Sequence, residues 1–271
     1  MDDLFKAYIF LLGLAVGSFL NVVVFRYHTG RGLSGRSFCG SCGRKLTWID
    51  LVPVLSFLFL RGRCRTCRAR VSWQYPFVEL FTGLVFLLTF KVFLDSFLGI
   101  ERWVVLLAHL VSWPLLIVML VYDFRHKIIP DAFVYGFAFV ALAYRLALSF
   151  LAGFNAPVWA DIAAGPILFL PFFLLWFLSR GKWMGFGDAK LALGIGWFLG
   201  LGGGISAVIL GFWVGAVVGV LLMAIHRLRA GHSGLTMKSE IPFGPFLVAG
   251  VFAVSFLNFS LFALVLLDEV F

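Results

Sequence analysis

Charge is scarce in this sequence. Only 13% of its 271 residues are Asp, Glu, Lys or Arg, while 62% are hydrophobic and 18% aromatic. An ordinary soluble domain carries about 25% charged residues, so a water-exposed globule is excluded. Intrinsic disorder is excluded as well, because it requires low hydrophobicity. Cysteine is nearly absent: four residues in a chain of this length exclude a small secreted scaffold held by disulfides. Acidic residues are few, 13 against 22 basic ones, for a net charge of +9. Long linkers and low-complexity tracts are lacking, and no internal repeat stands out.

What the chain has instead is apolar runs. They lie near 4–25, 76–98, 103–122, 132–151, 162–178, 191–204, 206–225 and 244–267. A helix crossing a bilayer needs about 20 mostly apolar residues, and these runs are continuous rather than alternating, which excludes barrel strands. The fold expected is an all-α polytopic membrane protein with about eight transmembrane helices. The fifth and sixth runs are short, and only Gly202-Gly203-Gly204 separates the sixth from the seventh. Asp2 and Asp3 precede the first run where a signal peptide would be basic, and the run is too long for one, so it reads as a retained span. Three regions follow: a first helix over 1–25, a hydrophilic insertion over 26–75, and a membrane domain over 76–271.

Charge orients this arrangement. Eighteen of the Lys and Arg residues fall in 26–75, near 123–131 and 179–190, and in 226–243; the opposite side holds only Lys6, Lys91, Arg102 and Arg145. By the positive-inside rule, 26–75 is cytoplasmic and both termini are extracytoplasmic. The basic residues lie beside spans and around the cysteines, which fits contact with anionic headgroups better than nucleic acid binding.

The insertion holds all four cysteines, as Cys39-Gly40-Ser41-Cys42 and Cys64-Arg65-Thr66-Cys67. Two Cys-x-x-Cys pairs supply the four thiolates of a tetrahedral structural zinc, and their separation suits such a site. Lys45, Arg61, Arg63 and Arg65 offset the charge of a four-thiolate centre. A module too small for a large core gains from a metal staple. The alternatives are two redox disulfides, which a cytoplasmic location disfavours, or four unrelated thiols.

Two aspartates sit where a charge is costly. Asp123 follows about twenty apolar residues and ends the third span; Asp188, in Gly185-Phe186-Gly187-Asp188-Ala189-Lys190, opens the sixth from the same side. Two neighbouring carboxylates share a proton, which provides a general base to activate water and a general acid for a leaving amine. Gly185 and Gly187 allow a sharp bend and close approach of a substrate backbone. The other readings are that Asp188 caps its helix or pairs with Arg125 or Lys190, that Asp131 is the better cap, or that the two carboxylates couple protons in a membrane transporter.

At this point the residues resemble a known family. Gly185-Phe186-Gly187-Asp188 resembles the GxGD signature of intramembrane aspartyl proteases, and the rest is similar to the bacterial type IV prepilin peptidases. Gly17-Ser18-Phe19-Leu20-Asn21-Val22-Val23, the two cysteine pairs, Tyr75-Pro76-Phe77-Val78-Glu79-Leu80, the stretch from Asp123 to Ile129-Pro130-Asp131, and Ile241-Pro242-Phe243-Gly244-Pro245 carry the resemblance in order. Two departures affect loop shape only: no proline follows Cys39, and Arg26-Tyr27-His28 replaces a common Arg-Leu-Pro. The resemblance implies a bifunctional enzyme of the bacterial inner membrane. It would cleave the basic leader from type IV prepilins and type II secretion pseudopilins, then N-methylate the new amino terminus using S-adenosylmethionine. Asp123 and Asp188 take the catalytic positions, with Gly185, Gly187 and Lys190 in support. Cys39, Cys42, Cys64 and Cys67 take the zinc positions, and 26–75 becomes a methyltransferase-associated region. Glu79 is a candidate for binding the substrate amine or, equally, for pairing with a nearby arginine.

Overall fold

The computed structural model describes residues 2–27, 29, 32–33, 35–96, 99–151, 158–230, 242–257 and 259. Among them there are eight α-helices and no strand: α1 (Asp2–Arg26), α2 (Leu55–Phe59), α3 (Gln74–Ser96), α4 (Gly99–His126), α5 (Asp131–Leu151), α6 (Val158–Ser179), α7 (Phe186–Ala230) and α8 (Gly244–Leu257). Six of these are long and apolar enough to cross a membrane; α2 and the described part of α8 are shorter. The chain is thus a multi-pass, all-helical protein. The basic loop 226–243, apart from its described ends, and the far part of the last expected span, beyond Leu257, lie outside the described residues.

The chain divides into two compact units, Met1–Val118 and Met119–Phe271. In the first, α1 packs along α3. A Cβ added at Gly17 would stand 2.7 Å from Glu79 Cα, and one added at Gly13 would stand 2.8 Å from Gly83 Cα. The glycines one turn apart on α1 therefore let the two backbones touch, as small residues do between membrane helices. Asn21 Nδ2 donates to the carbonyls of Gly17 (3.3 Å) and Tyr75 (3.2 Å), tying the start of α3 to α1. Ile9, Phe86, Phe90 and Leu106 fill the seam between α1, α3 and α4. His109 stays within α4, its Nδ1 2.9 Å from the Val105 carbonyl.

In the second unit α5, α6 and α8 pack on α7, whose Leu191, Ala192 and Ile195 are wholly buried. The sixth and seventh apolar runs form one helical element with a break at Gly200 (φ 74°, ψ 179°), ahead of the glycine triplet, which is helical. Left-handed φ costs glycine nothing. Arg145 completes the break: its Nε donates to the Trp197 carbonyl (3.0 Å) and a terminal nitrogen to that of Phe198 (3.2 Å), so a cation caps the negative end of the first arm. Pro166 inside α6 provides no N–H for the carbonyl of Ile162. Trp197 Nε1 donates to that carbonyl at 2.8 Å instead.

Candidate active site

Asp123 and Asp188 are both buried, at 4% and 8% exposure, and both line one open cavity of about 1120 Å³. Asp123 lies on the last turn of α4. Its Oδ2 accepts the backbone N–H of Gly244, the first residue of α8, at 3.0 Å. Asp188 is the third residue of α7, and its carboxylate accepts the backbone N–H of Gly185. That is the acidic half of a capping box. Asp188 thus does cap its helix while its carboxylate lines the cavity and feels the charge of Asp123. Ile129 joins the two loops. A Cβ on Gly187 would lie 2.9 Å from Ile129 Cβ, and one on Gly244 would lie 3.3 Å from Ile129 Cδ1 and 2.8 Å from Asp123 Oδ2. Phe186 packs its ring at 4.8 Å from that of Trp176 and 6.3 Å from that of Phe173, fixing the bend that presents Asp188. Two carboxylates held by main-chain donors on the wall of an open cavity can exchange a proton with water and with a leaving group.

Lys190 does not pair with Asp188. Its Nζ lies 2.7 Å from Asp131 Oδ1 and 4.7 Å from the Phe186 ring centroid. Residues two apart on a helix face away from each other, so Lys190 binds the start of α5 and ties it to α7. Its ammonium thus pairs with Asp131 rather than with Asp123 or Asp188.

The four cysteines form a second cluster, within the first unit. All four sulfurs lie within 4.8 Å of one another, and Cys39 Sγ and Cys67 Sγ are 3.8 Å apart. Sulfurs around a tetrahedral zinc with about 2.3 Å bonds stand about 3.8 Å apart, so the donor set fits that ion. No disulfide links them. Each pair sits in a miniature hairpin closed by one bridge, Phe38 to Lys45 and Arg63 to Arg70. Cys39 N–H donates to the Arg44 carbonyl (2.9 Å) as Cys64 N–H does to that of Ala69 (2.8 Å). Gly43 and Arg68, each four residues after the first cysteine, share a positive φ. The module is therefore an internal repeat of 25 residues, marked in the sequence by Cys39 and Cys64, Cys42 and Cys67, and Trp48 and Trp73, and otherwise carried by backbone geometry. The amides of Cys42 and Ser41 pull the Cys39 thiol down to about 6, and those of Cys67 and Thr66 lower Cys64, while Cys67, against the pull of the Ala69 amide, is pushed up to about 11 by burial and the neighbouring thiols.

The comparisons with known proteins follow the same division. Residues 11–93 match the Bacterial Peptidase A24 N-terminal domain, and 110–220 match the Type IV leader peptidase family. A prepilin leader peptidase/N-methyltransferase of Dickeya chrysanthemi is 30% identical over 262 residues, covering 88% of this chain and 87% of that protein. One from Aeromonas hydrophila is 31% identical over 277 residues, covering 93% and 90%. The chain belongs to the type IV leader peptidase family. A further relative, from Myxococcus xanthus, is 34% identical over 238 residues; the match covers 85% of this chain and 66% of that longer protein. No solved structure matches significantly. Nothing in these matches supports a proton-coupled transporter.

Within this leader-peptidase frame, the arginine pairing expected of Glu79 is not made among the described residues. It is buried, with Oε2 accepting the Val54 N–H at 2.7 Å and the Ser18 hydroxyl as a further donor; no arginine reaches it among the described residues. Sequence reasoning missed Gly244 as the donor to Asp123 and Ile129 as the brace between the loops. The only signal for either was membership in a Pro-Phe-Gly-Pro or Ile-Pro-Asp stretch. Ile241 of the former motif lies outside the described residues.

Proposed function

We propose that this chain cleaves the basic leader from type IV prepilins and type II secretion pseudopilins, with Asp123 and Asp188 as the catalytic pair, and N-methylates the new amino terminus. The observation that carries the peptidase half is the burial of both acids at one cavity, each on a helix end and each gripped by a peptide amide. One carboxylate, ionised, takes a proton from water as the oxygen attacks the scissile carbonyl. The other, protonated, delivers its proton to the departing nitrogen. The Gly244 amide holds Oδ2 of Asp123 and leaves Oδ1 for the proton. Gly185, where an added Cβ meets nothing closer than Asp188 Oδ2 at 3.6 Å, leaves room for a substrate backbone beside Asp188, while Gly187 packs on Ile129. The substrate's hydrophobic segment enters laterally from lipid, with its leader toward the cytoplasm.

Cys39, Cys42, Cys64 and Cys67 hold one zinc, which closes the 26–75 module and leaves no open coordination position. S-adenosylmethionine supplies the methyl group, and 26–75 with the start of α3 is the region devoted to that second activity. The setting is the bacterial inner membrane, with the module cytoplasmic and both termini on the far side.

Separate Asp123→Asn and Asp188→Asn variants test the peptidase. Each amide keeps the shape and loses the exchangeable proton, so prepilin cleavage falls by roughly 10³-fold or more, as when a member of a catalytic unit is removed, with zinc content unchanged. Full cleavage by either variant defeats the assignment. For the second activity, methyl label passes from S-adenosylmethionine to the amino terminus of the cleaved pilin.

A further inference from the structure

Between the two cysteine hairpins the chain runs through a turn of 3-10 helix, Trp48–Leu51, and then the short α2. The largest side chains of this stretch point outward. Trp48 is 77% exposed and Phe59 84%, and Leu55 and Leu58 are exposed as well. So is Trp73, at 74%, at the foot of the second hairpin. Exposed apolar surface gathered in this way marks contact with a membrane or a partner.

The fold sets the level of the segment. The apolar span of α3, Gln74–Phe93, has 20 residues, about the number that just crosses the hydrocarbon of a bilayer, so its first turns lie at a lipid boundary. Two contacts fasten the segment beside those turns. The Phe57 ring lies 4.8 Å from that of Trp73, which immediately precedes α3. The Val54 N–H donates to Oε2 of Glu79, on the second turn of α3, at 2.7 Å. Val54 has a left-handed backbone there (φ 59°), a strained state for a β-branched residue that persists only where the surroundings over-determine it. The exposed surface then continues down α3. Trp73, Phe77, Leu80 and Leu84 are all exposed, and their spacing puts them on one stripe of the helix.

Charge decides what lies opposite. Arg61, Arg63, Arg68 and Arg70 follow the segment; all four are exposed, and none enters an ion pair among the described residues. Arg63 and Arg70 stand opposite each other across the second hairpin. The bonds on either side, Cys64 N–H to the Ala69 carbonyl and Val71 N–H to the Gly62 carbonyl, make them a non-hydrogen-bonded pair, the closer kind, with both side chains on one face. Like charges so placed repel, and an anion between them removes the repulsion. A second copy of this chain brings the same cations, and a basic leader is repelled too. An anionic lipid brings a phosphate for the arginines and an interface of the kind in which tryptophan settles.

We propose that Trp48–Phe59 and Trp73 form a membrane-interface anchor seated in an anionic lipid leaflet, with Arg63 and Arg70 on lipid phosphate. The apolar side chains enter the boundary between headgroups and acyl chains, as the apolar face of an interfacial helix does. The cysteine module is thereby held at the lipid surface beside α3. The anchor is independent of both proposed activities, and a chain that neither cleaves nor methylates carries it unchanged.

The test uses the full chain, without substrate, in nanodiscs of mixed phosphatidylcholine and phosphatidylglycerol. A trace of phosphatidylglycerol with a photoreactive diazirine beside its glycerol is activated, and its adducts are mapped after proteolysis. They fall on Trp48–Phe59 and Trp73 as well as on the exposed stripe of α3. In the double variant Arg63→Gln, Arg70→Gln the adducts on the segment drop about fivefold or more against those on α3, the effect of one arginine at an anionic surface. In Trp48→Ser, Phe59→Ser, where both changes are on exposed side chains, the adducts on Leu55 and Leu58 disappear. Zinc content stays at the wild-type level in each. If the arginine variant loses its zinc, the wild-type chain decides: the phosphatidylglycerol probe labels the segment about fivefold more than a phosphatidylcholine probe of the same design. Label on α3 with none on Trp48–Phe59 overturns the anchor, and equal labelling by the two probes overturns its anionic lipid. Added prepilin that clears the lipid adducts assigns the surface to substrate instead. A chain-to-chain cross-link through the segment in place of lipid adducts assigns it to a second copy, and either result overturns the proposal.

Discussion

Gly244 has no side chain, and Asp123 depends on that. Any Cβ there would press on Asp123 Oδ2 at 2.8 Å while the amide beside it donates to the same oxygen. Gly244→Ala therefore displaces the carboxylate. Displacements of about 1 Å near a reacting group cost up to roughly 10²-fold in rate, so kcat for prepilin cleavage drops at least tenfold. The melting temperature changes little, because alanine suits the first turn of α8. Kinetics and a melting curve on one preparation check both halves. The positions of the two acids are legible in the sequence, Asp123 directly after about twenty apolar residues and Asp188 opening a later run from the same side, though the helix cap that Asp188 also forms is an equally open reading. Gly244 is not legible, because a backbone donor 121 residues away leaves no mark on residue type. Lys190 illustrates the reverse error. Chain proximity to Asp188 suggested a partner, and helix geometry turned the ammonium to Asp131.

At the scale of elements, the apolar runs gave the helices nearly in full. They placed the interruption of α7 at the glycine triplet, whereas the helix breaks at Gly200, where Arg145 takes up the exposed carbonyls. Composition shows that a break is affordable there; the position of a cation on another helix decides where it falls. Pro166 is a similar case. The sequence announces a missing donor but not the indole of Trp197 that replaces it. Trp197→Phe keeps the ring and removes the N–H, leaving the Ile162 carbonyl unsatisfied in a dry setting. The cost is about 1–3 kcal/mol, read as a lower melting temperature in nanodiscs. An unchanged transition would show that the carbonyl finds another donor.

For the molecule as a whole, the division into two compact units follows the division of chemistry, with the thiols in one and the paired acids in the other. Each cysteine hairpin is too small to hold itself together by apolar burial, so a zinc held by the four thiolates would be the organising core of the module. Elemental analysis of the purified chain gives about one zinc for four thiolates, and stripping it with a chelator lowers the melting temperature. Metal-free, reduced protein with an unchanged transition rejects the staple. Part of the basic charge of the module is spent inside it: Arg44 and Arg65 both face Asp50. Burial pushes the Asp50 carboxyl up, but Thr47 and these two arginines outweigh it and hold the group below the usual aspartate range. Counting charges along the sequence predicts an orientation, but it does not separate free arginines from those neutralised within the module, as Arg44 and Arg65 are by Asp50.

The peptide groups that steady Asp123 and Asp188 belong to Gly244 and Gly185. A main-chain N–H survives every amino-acid exchange except proline, so at Gly185, where an added Cβ meets nothing closer than 3.6 Å, Asp188 keeps its donor through most substitutions; at Gly244 the added Cβ itself, not loss of the donor, disturbs Asp123. Inherited variation at Gly185 can then proceed without loss of the amide that holds Asp188, whereas Gly244 tolerates none that adds a side chain.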